Sequence, residues 1–521
     1  MLLFEITIAL LLVGAVLAAV ARRLNVPYPA LLALAGAALA LLPNAPSVTL
    51  DPELALTLLV APVLLDAAFD SSPRDLKQNW RAVTALALVA VGLTVTGVAL
   101  VSRWIIPGLS WPAAVALGAI VAPPDAAAAT AVLRQLRPPH RILVVLEGES
   151  LFNDATALLV YRLAVAAAVT GSFGGWSAVP TLLAVAAGSV LLGAALSRLL
   201  IWTVPKIKDV ATSVVLQFLT TFAVWLIAER LRLSGIITVV VFAILIARTV
   251  PDLISGRLRI QSYAVWEVAV FVLNVLAFIL IGLQLKPILA RLTRADLELY
   301  AVGAAAVLAA VIVIRILWVM LYAVAARWRG ERLGRGEATV VAWCGMRGIV
   351  TLAAALALPD GGPGEAFPFR DFIVLTAFCV VLGTLVLQGL TVPPLMRLLR
   401  LQDDGTVDRE VRLARAETAR SGLAAVDRTA GDGEIMAFLR RKYAARLRRA
   451  EREAGGPTDE EAESWREFHE VVQEAQVAER HTLSDLRARG VIGDDAFHQI
   501  EEELDWSEVN TQARRAPADL P

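Results

Sequence analysis

Cysteine is nearly absent from this chain of 521 residues, which contains only Cys344 and Cys379. Both lie within apolar segments, so neither a disulfide framework nor a cysteine-based metal site is indicated. The chain also lacks the Gly-x-x-x-x-Gly-Lys motif that cradles phosphates. The sequence therefore gives no support to transport driven by nucleotide hydrolysis.

Motifs of membrane-embedded proteolysis are lacking as well. An intramembrane aspartyl protease needs a Gly-x-Gly-Asp motif, and none occurs. Hydrophobic residues make up 57% of the chain, and the mean hydropathy of +0.66 is far above that of a soluble domain. This hydropathy excludes a soluble enzyme. We expect a protein that is not an enzyme, with no cofactor and no nucleic acid partner.

Long hydrophobic runs are abundant. Runs of about 17–25 residues can cross a bilayer as helices. About thirteen are predicted, near residues 2–20, 27–43, 52–70, 82–102, 112–133, 142–168, 178–204, 211–229, 234–250, 264–288, 298–324, 338–358 and 371–398. The predicted fold class is an all-α polytopic membrane protein.

Basic residues are distributed unevenly between the loops on the two sides of this array. Arg22, Arg23 and Arg134 lie in loops of one side, whereas the loops Pro46–Glu53 and Gly171–Ser177 contain no Lys or Arg. Cytoplasmic loops carry the excess of Lys and Arg. We therefore predict a bacterial-type inner (plasma) membrane protein with its N-terminus outside and its C-terminus in the cytoplasm.

Beyond Leu401 the apolar runs stop and charged residues become dense. Residues 401–521 contain 27 Asp and Glu against 18 Lys and Arg. Helical propensity and breakers predict four helices, near 408–425, 433–453, 460–488 and 495–505. We expect a transmembrane transporter domain over 1–400, followed by a cytoplasmic helical regulatory tail over 401–521.

The sixth predicted segment is apolar but contains Glu147, Glu149, Ser150, Asn153 and Asp154 near its middle. A charged side chain at bilayer depth costs at least about 2.5–3.5 kcal/mol, so it persists only where other interactions offset that cost. In a helix, Glu147, Ser150 and Asp154 fall on one face, at i, i+3 and i+7. Such a buried polar stripe is typical of an ion site inside a helix bundle.

Two other segments are interrupted near their middle. Pro123 and Pro124 remove two backbone donors from the fifth segment, directly before Asp125. The twelfth segment is interrupted by the sequence Cys-Gly-Met-Arg-Gly, in which Arg347 is the arginine. Each break lies in the fifth helix of a six-helix unit if the seventh helix is a linker. This pattern predicts two inverted six-helix repeats with a midplane site, as in secondary transporters.

Residues 147–154, together with 123–125 and 344–348, resemble the sodium/proton antiporters of the monovalent cation:proton antiporter superfamily. More narrowly they resemble its electroneutral Asn-Asp branch, which includes bacterial NhaP-type proteins and animal sodium–proton exchangers. The resemblance covers most of residues 1–400. It implies a thirteen-helix homodimer in which a core domain moves against a dimerisation domain. Core helices would lie within 82–168 and 298–398, and dimerisation helices within 1–70 and 178–288.

The resemblance also implies a single carboxylate site. Asp154 would bind either the cation or the proton, and Asn153 would lie beside it. Ser150 would contribute an oxygen, so that Asp154 and Ser150 are the expected Na⁺ ligands. Asp125 would lie between the half-helices of the fifth span, where the carbonyl group of Pro124 can face the cation.

Three further roles are expected for charged residues of the membrane domain. The resemblance implies that Glu149 pairs with Arg347 and thereby holds the twelfth helix onto the sixth. Buried pairs that involve Arg315 or Arg162 are the alternatives, and structural roles are expected for these two arginines. Asp66 of the third segment would line the path by which ions reach the site.

The expected function is secondary active exchange of Na⁺, with Li⁺ or K⁺ as alternatives, for protons by alternating access, with one proton per cation. This stoichiometry rests on the resemblance. The chain departs from the family pattern at Pro124-Asp125-Ala126, where Thr-Asp-Pro is usual, and it therefore lacks one hydroxyl group. A K⁺/H⁺ antiporter of the same fold and a cation channel are the alternative functions.

Overall fold

All regular secondary structure in the described residues is helical. The computed structural model describes residues 2–24, 26–43, 51–170, 178–207, 209–329, 334–359, 367–428, 433–455 and 459–512. Most of the two loops without basic residues, at 46–50 and 171–177, lies outside these ranges. The chain divides into two units, Met1–Asp404 and Gly405–Pro521.

The principal helices of the first unit are numbered α1 to α16 in chain order. They are α1 (Leu2–Leu24), α2 (Tyr28–Ala40), α3 (Pro52–Asp70), α4 (Pro73–Gln78), α5 (Trp80–Ile105), α6 (Trp111–Val121), α7 (Ala126–Leu136), α8 (His140–Thr170), α9 (Ala178–Thr203), α10 (Val210–Arg230), α11 (Gly235–Ala247), α12 (Gly256–Leu283), α13 (Arg294–Trp328), α14 (Arg335–Trp343), α15 (Ile349–Leu356) and α16 (Arg370–Leu398).

The predicted all-helical membrane class is confirmed. Ten helical spans among the described residues are long and apolar enough to cross a membrane. Each of the thirteen predicted segments coincides with helix. However, α2 and α11 are short, and the segment 338–358 is divided between α14 and α15. Thirteen membrane crossings and the inverted repeats therefore stay predictions.

Several helices begin at a side chain that replaces a missing backbone partner. The Asp209 carboxylate accepts a hydrogen bond from the Thr212 amide at 2.8 Å, directly before α10. Thr293 similarly accepts from the Asp296 amide at 3.2 Å, before α13. Such caps satisfy amides that have no intrahelical acceptor. They explain why these helices start where a short polar residue follows a loop.

The helices of the first unit pack in two sets of neighbours. In one set, α13 packs against α5 and α16, and α6 packs against α5 and α8. In the other, α11 packs against α3, α9 and α10, while α12 packs against α1 and α2. However, α2 also packs against α16, across the two sets. The division into core and dimerisation groups, and movement of one group against the other, therefore stay predictions.

A short polar connection fixes the helix α4 to the beginning of α8. The Asp75 carboxylate lies 2.9 Å from the Arg74 guanidinium and 3.3 Å from Nε2 of His140. Burial alone would raise the pKa of Asp75, but hydrogen bonds from His140, Arg74 and Ser72 outweigh it and hold the pKa below its ordinary value. The connection between α3 and α5 is thereby tied to α8.

The described part of the second unit contains four helices, as the sequence predicts: α17 (Thr406–Arg428), α18 (Glu434–Gly455), α19 (Asp459–Ala488) and α20 (Asp494–Gln512). Helices α17 and α18 pack against each other through alanines, and α19 packs against α20. Arg480 of α19 lies 2.5 Å from Asp505 and 2.7 Å from Glu508 of α20. A regulatory role for this unit stays a prediction.

Helices α2 and α12 cross at a pair of glycines. A Cβ atom on Gly36 would meet the carbonyl oxygen of Ile279, and one on Gly282 would meet the carbonyl oxygen of Ala33. The two backbones are therefore in direct contact, as at other small-residue crossings of membrane helices.

We predict that Gly282→Val lowers the free energy of unfolding by about 1–3 kcal/mol, because the larger side chain forces the two helices apart. Gly92→Val is the matched control, since a Cβ built on Gly92 meets no described atom within 4 Å apart from its chain neighbours and its own helix backbone. Thermal unfolding of the detergent-purified variants measures the difference. Equal melting temperatures for the two variants would show that the crossing is not tight.

Candidate functional site

The two predicted helix breaks are confirmed, and they lie against each other. One break, residues 122–125, separates α6 from α7, and the other, residues 344–348, separates α14 from α15. The main-chain amide of Asp125 donates a hydrogen bond to the carbonyl oxygen of Met346 at 2.7 Å. Segments more than 200 residues apart in the sequence thus form one irregular centre inside the bundle.

Asp125 and Ser150 together satisfy the first amides of α7. The Asp125 carboxylate accepts from the Ala127 amide at 2.9 Å, and the Ser150 hydroxyl accepts from the Ala126 amide at 3.3 Å. A Cβ atom on Gly348 would collide with the Asp125 carboxylate. Glycine at 348 therefore allows this carboxylate to lie directly against the second break.

Arg347 supplies hydrogen-bond donors to the end of α6, on the other side of the first break. Its side chain is buried, and its guanidinium donates to the carbonyl oxygens of Val121 at 2.9 Å, of Ala122 at 3.0 Å, and of Gly345. The first two carbonyls end α6, where the helix dipole is negative and intrahelical donors are missing. The Arg347 amide also donates to the Thr384 hydroxyl of α16 at 3.0 Å.

The expected pairing of Glu149 with Arg347 is wrong in this structure. Glu149 instead pairs with Arg315 of α13, through Nη1···Oε1 at 2.5 Å and Nη2···Oε2 at 2.8 Å. Arg315 also donates to the carbonyl oxygens of Val341 at 3.0 Å and Cys344 at 3.3 Å, at the end of α14. Arg315 therefore holds α8, α13 and α14 together.

The physical reason lies in the different surroundings of the two arginines. Arg347 lies inside a break, where unpaired carbonyl groups occupy its donors. Arg315 projects from a continuous helix and meets both oxygens of Glu149, the bidentate geometry that makes the strongest pairs between arginine and carboxylate. The sequence had left Arg315 open as a structural alternative, and the structure selects it.

Asn153 and Asp154 lie on α8, next to the centre formed by the two breaks. Asn153 is fully buried and donates from Nδ2 to the Pro124 carbonyl oxygen at 3.2 Å. Asp154 is 7% exposed, and no hydrogen bond to its carboxylate is found within the described residues. It lies close enough to Asp125 for their charges to interact. Two like charges repel each other most strongly where little water screens them.

Oxygen atoms of different chemical groups lie around the break at Pro124. Hydrogen bonds connect Asn153, Ser150 and Asp125 with the break at Pro124, and Asp154 lies one residue beyond Asn153. The Oδ1 atom of Asn153 is buried without a partner among the described residues. Carboxylate, amide, hydroxyl and carbonyl oxygens are the ligands that hard cations such as Na⁺ prefer.

Asp66 is not part of this centre. It lies half-buried on α3, where its charge interacts with those of Asp70, Glu267 and Arg134. Arg134 of α7 also forms an ion pair with Glu147 of α8 at 3.2 Å. We call these five residues the vestibule cluster. Glu147 therefore takes part in a different polar group from Glu149.

Arg162 forms an ion pair, but this pair is not buried as expected. It pairs with Glu229 of α10 at 3.0 Å, with both side chains partly exposed. The role of Thr384 could not be predicted from the sequence, because an isolated threonine within an apolar helix has no distinctive pattern. Its hydroxyl accepts a hydrogen bond from the break that contains Arg347.

Known proteins can be compared with this arrangement. The sequence model of the transmembrane sodium/hydrogen exchangers matches residues 8–398. The chain belongs to this family. An uncharacterized Na⁺/H⁺ exchanger of Mycobacterium tuberculosis is 30% identical over 96% of this chain and 94% of its own length. A sodium, potassium, lithium and rubidium/H⁺ antiporter of Bacillus pumilus is 30% identical over 82% of this chain and 66% of its own length.

A solved structure has the same fold. The sodium proton antiporter MjNhaP1 from Methanocaldococcus jannaschii superposes with a TM-score of 0.61 at 19% identity, over 76% of this chain and 98% of its own. The expected recognition is thus confirmed: this sodium/hydrogen exchanger is a membrane antiporter of cations and protons, not an enzyme. The site residues within it stay proposals.

The buried pair of Glu149 and Arg315 leads to a testable prediction. Arg315→Met should cost about 3–5 kcal/mol of unfolding free energy, because the charge of Glu149 is left without a partner. Adding Glu149→Gln should recover most of this loss. Thermal unfolding of the single and double variants in detergent is the measurement.

The same comparison of single and double variants distinguishes Arg315 from Arg347 as the partner of Glu149. Adding Glu149→Gln to Arg347→Met should recover no stability, because Arg347 serves carbonyl groups rather than Glu149. Recovery with Arg347→Met, and none with Arg315→Met, would favour the pairing implied by the family resemblance. Arg162→Gln is a control that breaks a more exposed pair, and it should cost less.

Proposed function

We propose that this exchanger carries out electroneutral exchange of one Na⁺ for one proton, and that the Asp154 carboxylate binds the two ions in turn. The observation that carries this proposal is the burial of Asp154 beside Asp125, at the meeting point of two broken helices. A carboxylate in that position can hold a proton or a cation, but not both. Alternating exposure of the site to the two sides then couples the two ions without a cofactor.

The proposed Na⁺ ligands are oxygens of Asp154 and Ser150, with the carbonyl group of Pro124 as a further candidate. Ser150 accepts one hydrogen bond, from the Ala126 amide, and a hydroxyl oxygen has a second lone pair to offer. Asn153 has a positioning role, because its amide holds the Pro124 carbonyl group. The backbone carbonyl thereby compensates for the threonine hydroxyl that this chain lacks.

The proposed one-to-one stoichiometry depends on how the other carboxylates near Asp154 are neutralised or offset. Glu149 is paired with Arg315. Asp125 caps α7, whose N-terminal dipole offsets a negative charge. Position 153 is asparagine, where the electrogenic relatives have a second acid according to the family resemblance. Asp154 is then the carboxylate whose charge changes in the cycle, so one proton replaces one cation.

We further propose a homodimer in the plasma membrane. Helices α1–α3 and α9–α12 would form the dimerisation domain, and α5–α8 with α13–α16 the moving core. The packing of α11 against α3, α9 and α10, and of α13 against α5 and α16, supports this division. The positions of Arg22, Arg23 and Arg134 support an N-terminus outside and a regulatory tail in the cytoplasm.

Exchange of K⁺ for protons is the second candidate. It is favoured by the printed name of the Bacillus pumilus relative, a sodium, potassium, lithium and rubidium/H⁺ antiporter. A site built from oxygen atoms of several kinds selects among alkali cations by its size. A cation channel is a weaker alternative, because the two breaks pack against each other at the site, and single-channel recording would reveal it.

Proteoliposomes test the proposal. With a pH gradient imposed, added Na⁺ should dissipate the gradient at a rate that does not change when valinomycin and K⁺ clamp the membrane potential. Li⁺ and K⁺ added in place of Na⁺ define the selectivity. Asp154→Asn should abolish the response, because a neutral amide cannot exchange a proton for a cation.

Asp252→Asn is the matched control, since it makes the same chemical change at an exposed position and should exchange like the wild type. Residual exchange by a well-folded Asp154→Asn protein would show that another group binds the ions. A rate that follows the membrane potential would overturn the one-to-one stoichiometry.

A further inference from the structure

The vestibule cluster contains four carboxylates and one guanidinium. Asp66 and Asp70 lie on α3, and Glu267 lies on α12. The remaining two residues, Glu147 and Arg134, form an ion pair across α8 and α7 at 3.2 Å. The charge of Arg134 also interacts with those of Asp66 and Asp70. Arg134 is thus a positive charge within a group of carboxylates from three helices.

The cluster lies to one side of the proposed ion site. Glu147 precedes Asp154 by seven residues of the continuous helix α8, a rise of roughly 10 Å. Arg134 follows Asp125 by nine residues, near the end of α7. Both displacements lead toward the short connection between α7 and α8, at the side where the basic loops are found. In the proposed function, an ion that enters from this side passes the cluster before it reaches Asp154.

Arg134 is the more accessible member of the ion pair. Its side chain is 62% exposed, against 24% for Glu147. An exposed ion pair is held weakly, because water screens the attraction and the long side chain loses freedom in the pair. The guanidinium can therefore leave Glu147 when another cation takes its place.

We propose that Arg134 is a tethered counter-ion of the vestibule, which competes with incoming cations and sets the apparent affinity of the exchanger for them. This inference rests on the proposed function, in which cations reach Asp154 from this side. When Arg134 lies among the carboxylates, it cancels part of the negative potential that would concentrate cations at the opening. A transported cation has to displace it. Arg134 acts through the vestibule and does not touch the cation at Asp154.

The test is the Na⁺ dependence of exchange by Arg134→Gln in proteoliposomes. The half-saturating Na⁺ concentration should fall about two- to fourfold, the size expected for a unit charge roughly 10 Å from the bound ion in a water-filled opening. The maximal rate should not change. The difference should shrink when choline chloride raises the ionic strength, because salt screens exposed charges.

Three further variants separate this effect from a loss of structure. Arg134→Lys should keep the wild-type half-saturation, because it preserves the charge. Arg137→Gln removes an exposed charge three residues away and should also leave it unchanged. Glu147→Gln should raise the half-saturating concentration, since it removes one carboxylate and releases Arg134 among the others. This opposite shift tests the inference even if Arg134→Gln does not fold.

An unchanged or higher half-saturating concentration in Arg134→Gln would overturn the inference, and so would an equal fall in Arg137→Gln. A fall that persists at high ionic strength would also overturn it, because it would indicate a change of structure rather than of charge. The proposed function fails separately, through exchange that survives in Asp154→Asn. Both results can be read from the same set of proteoliposomes.

Discussion

A broken helix inside a bilayer exposes backbone groups where no water is available to bind them, and this constraint governs the centre of the exchanger. The two breaks satisfy it for each other. Arg347 from the second break binds the carbonyl groups that end α6, and the Asp125 amide from the first binds the Met346 carbonyl group. Neither break satisfies all of its backbone groups without the other. The breaks therefore form one structural element, although the sequence separates them widely.

The charges around this element fall into two classes. Glu149 and Arg315 neutralise each other and join three helices, so they serve the architecture. Asp154 has no such partner among the described residues, and the charge that acts on it is the like charge of Asp125. The charges of Arg347 and Asp125 are offset by backbone carbonyl and amide groups of the breaks instead. Asp154 is left as the carboxylate without a partner among the described residues, which is the physical basis of the proposed site.

Much of the fold and of the candidate site could be predicted from the local spacing of residues in the sequence. The polar residues of α8 lie one helical turn or two apart, so the helical period alone assigns each of them to a face. Prolines and glycines in apolar runs locate the two breaks. The high cost of charge in a bilayer makes Asp154 and Asp125 candidates for the functional site. The link from Asn153 to Pro124 could not be predicted in this way, because it depends on how α8 lies against α6 and α7.

The sequence by itself thus determined the helical class, the positions of the breaks and the residues of the candidate site, because hydropathy, helical period and backbone chemistry are local properties. Only the tertiary structure decided which arginine Glu149 binds. Arg315 and Arg347 both lie within apolar segments, and the sequence gives their depth but not the direction from which each approaches α8. The choice depends on which backbone carbonyl groups are left unpaired nearby, and that is a property of the packed helices.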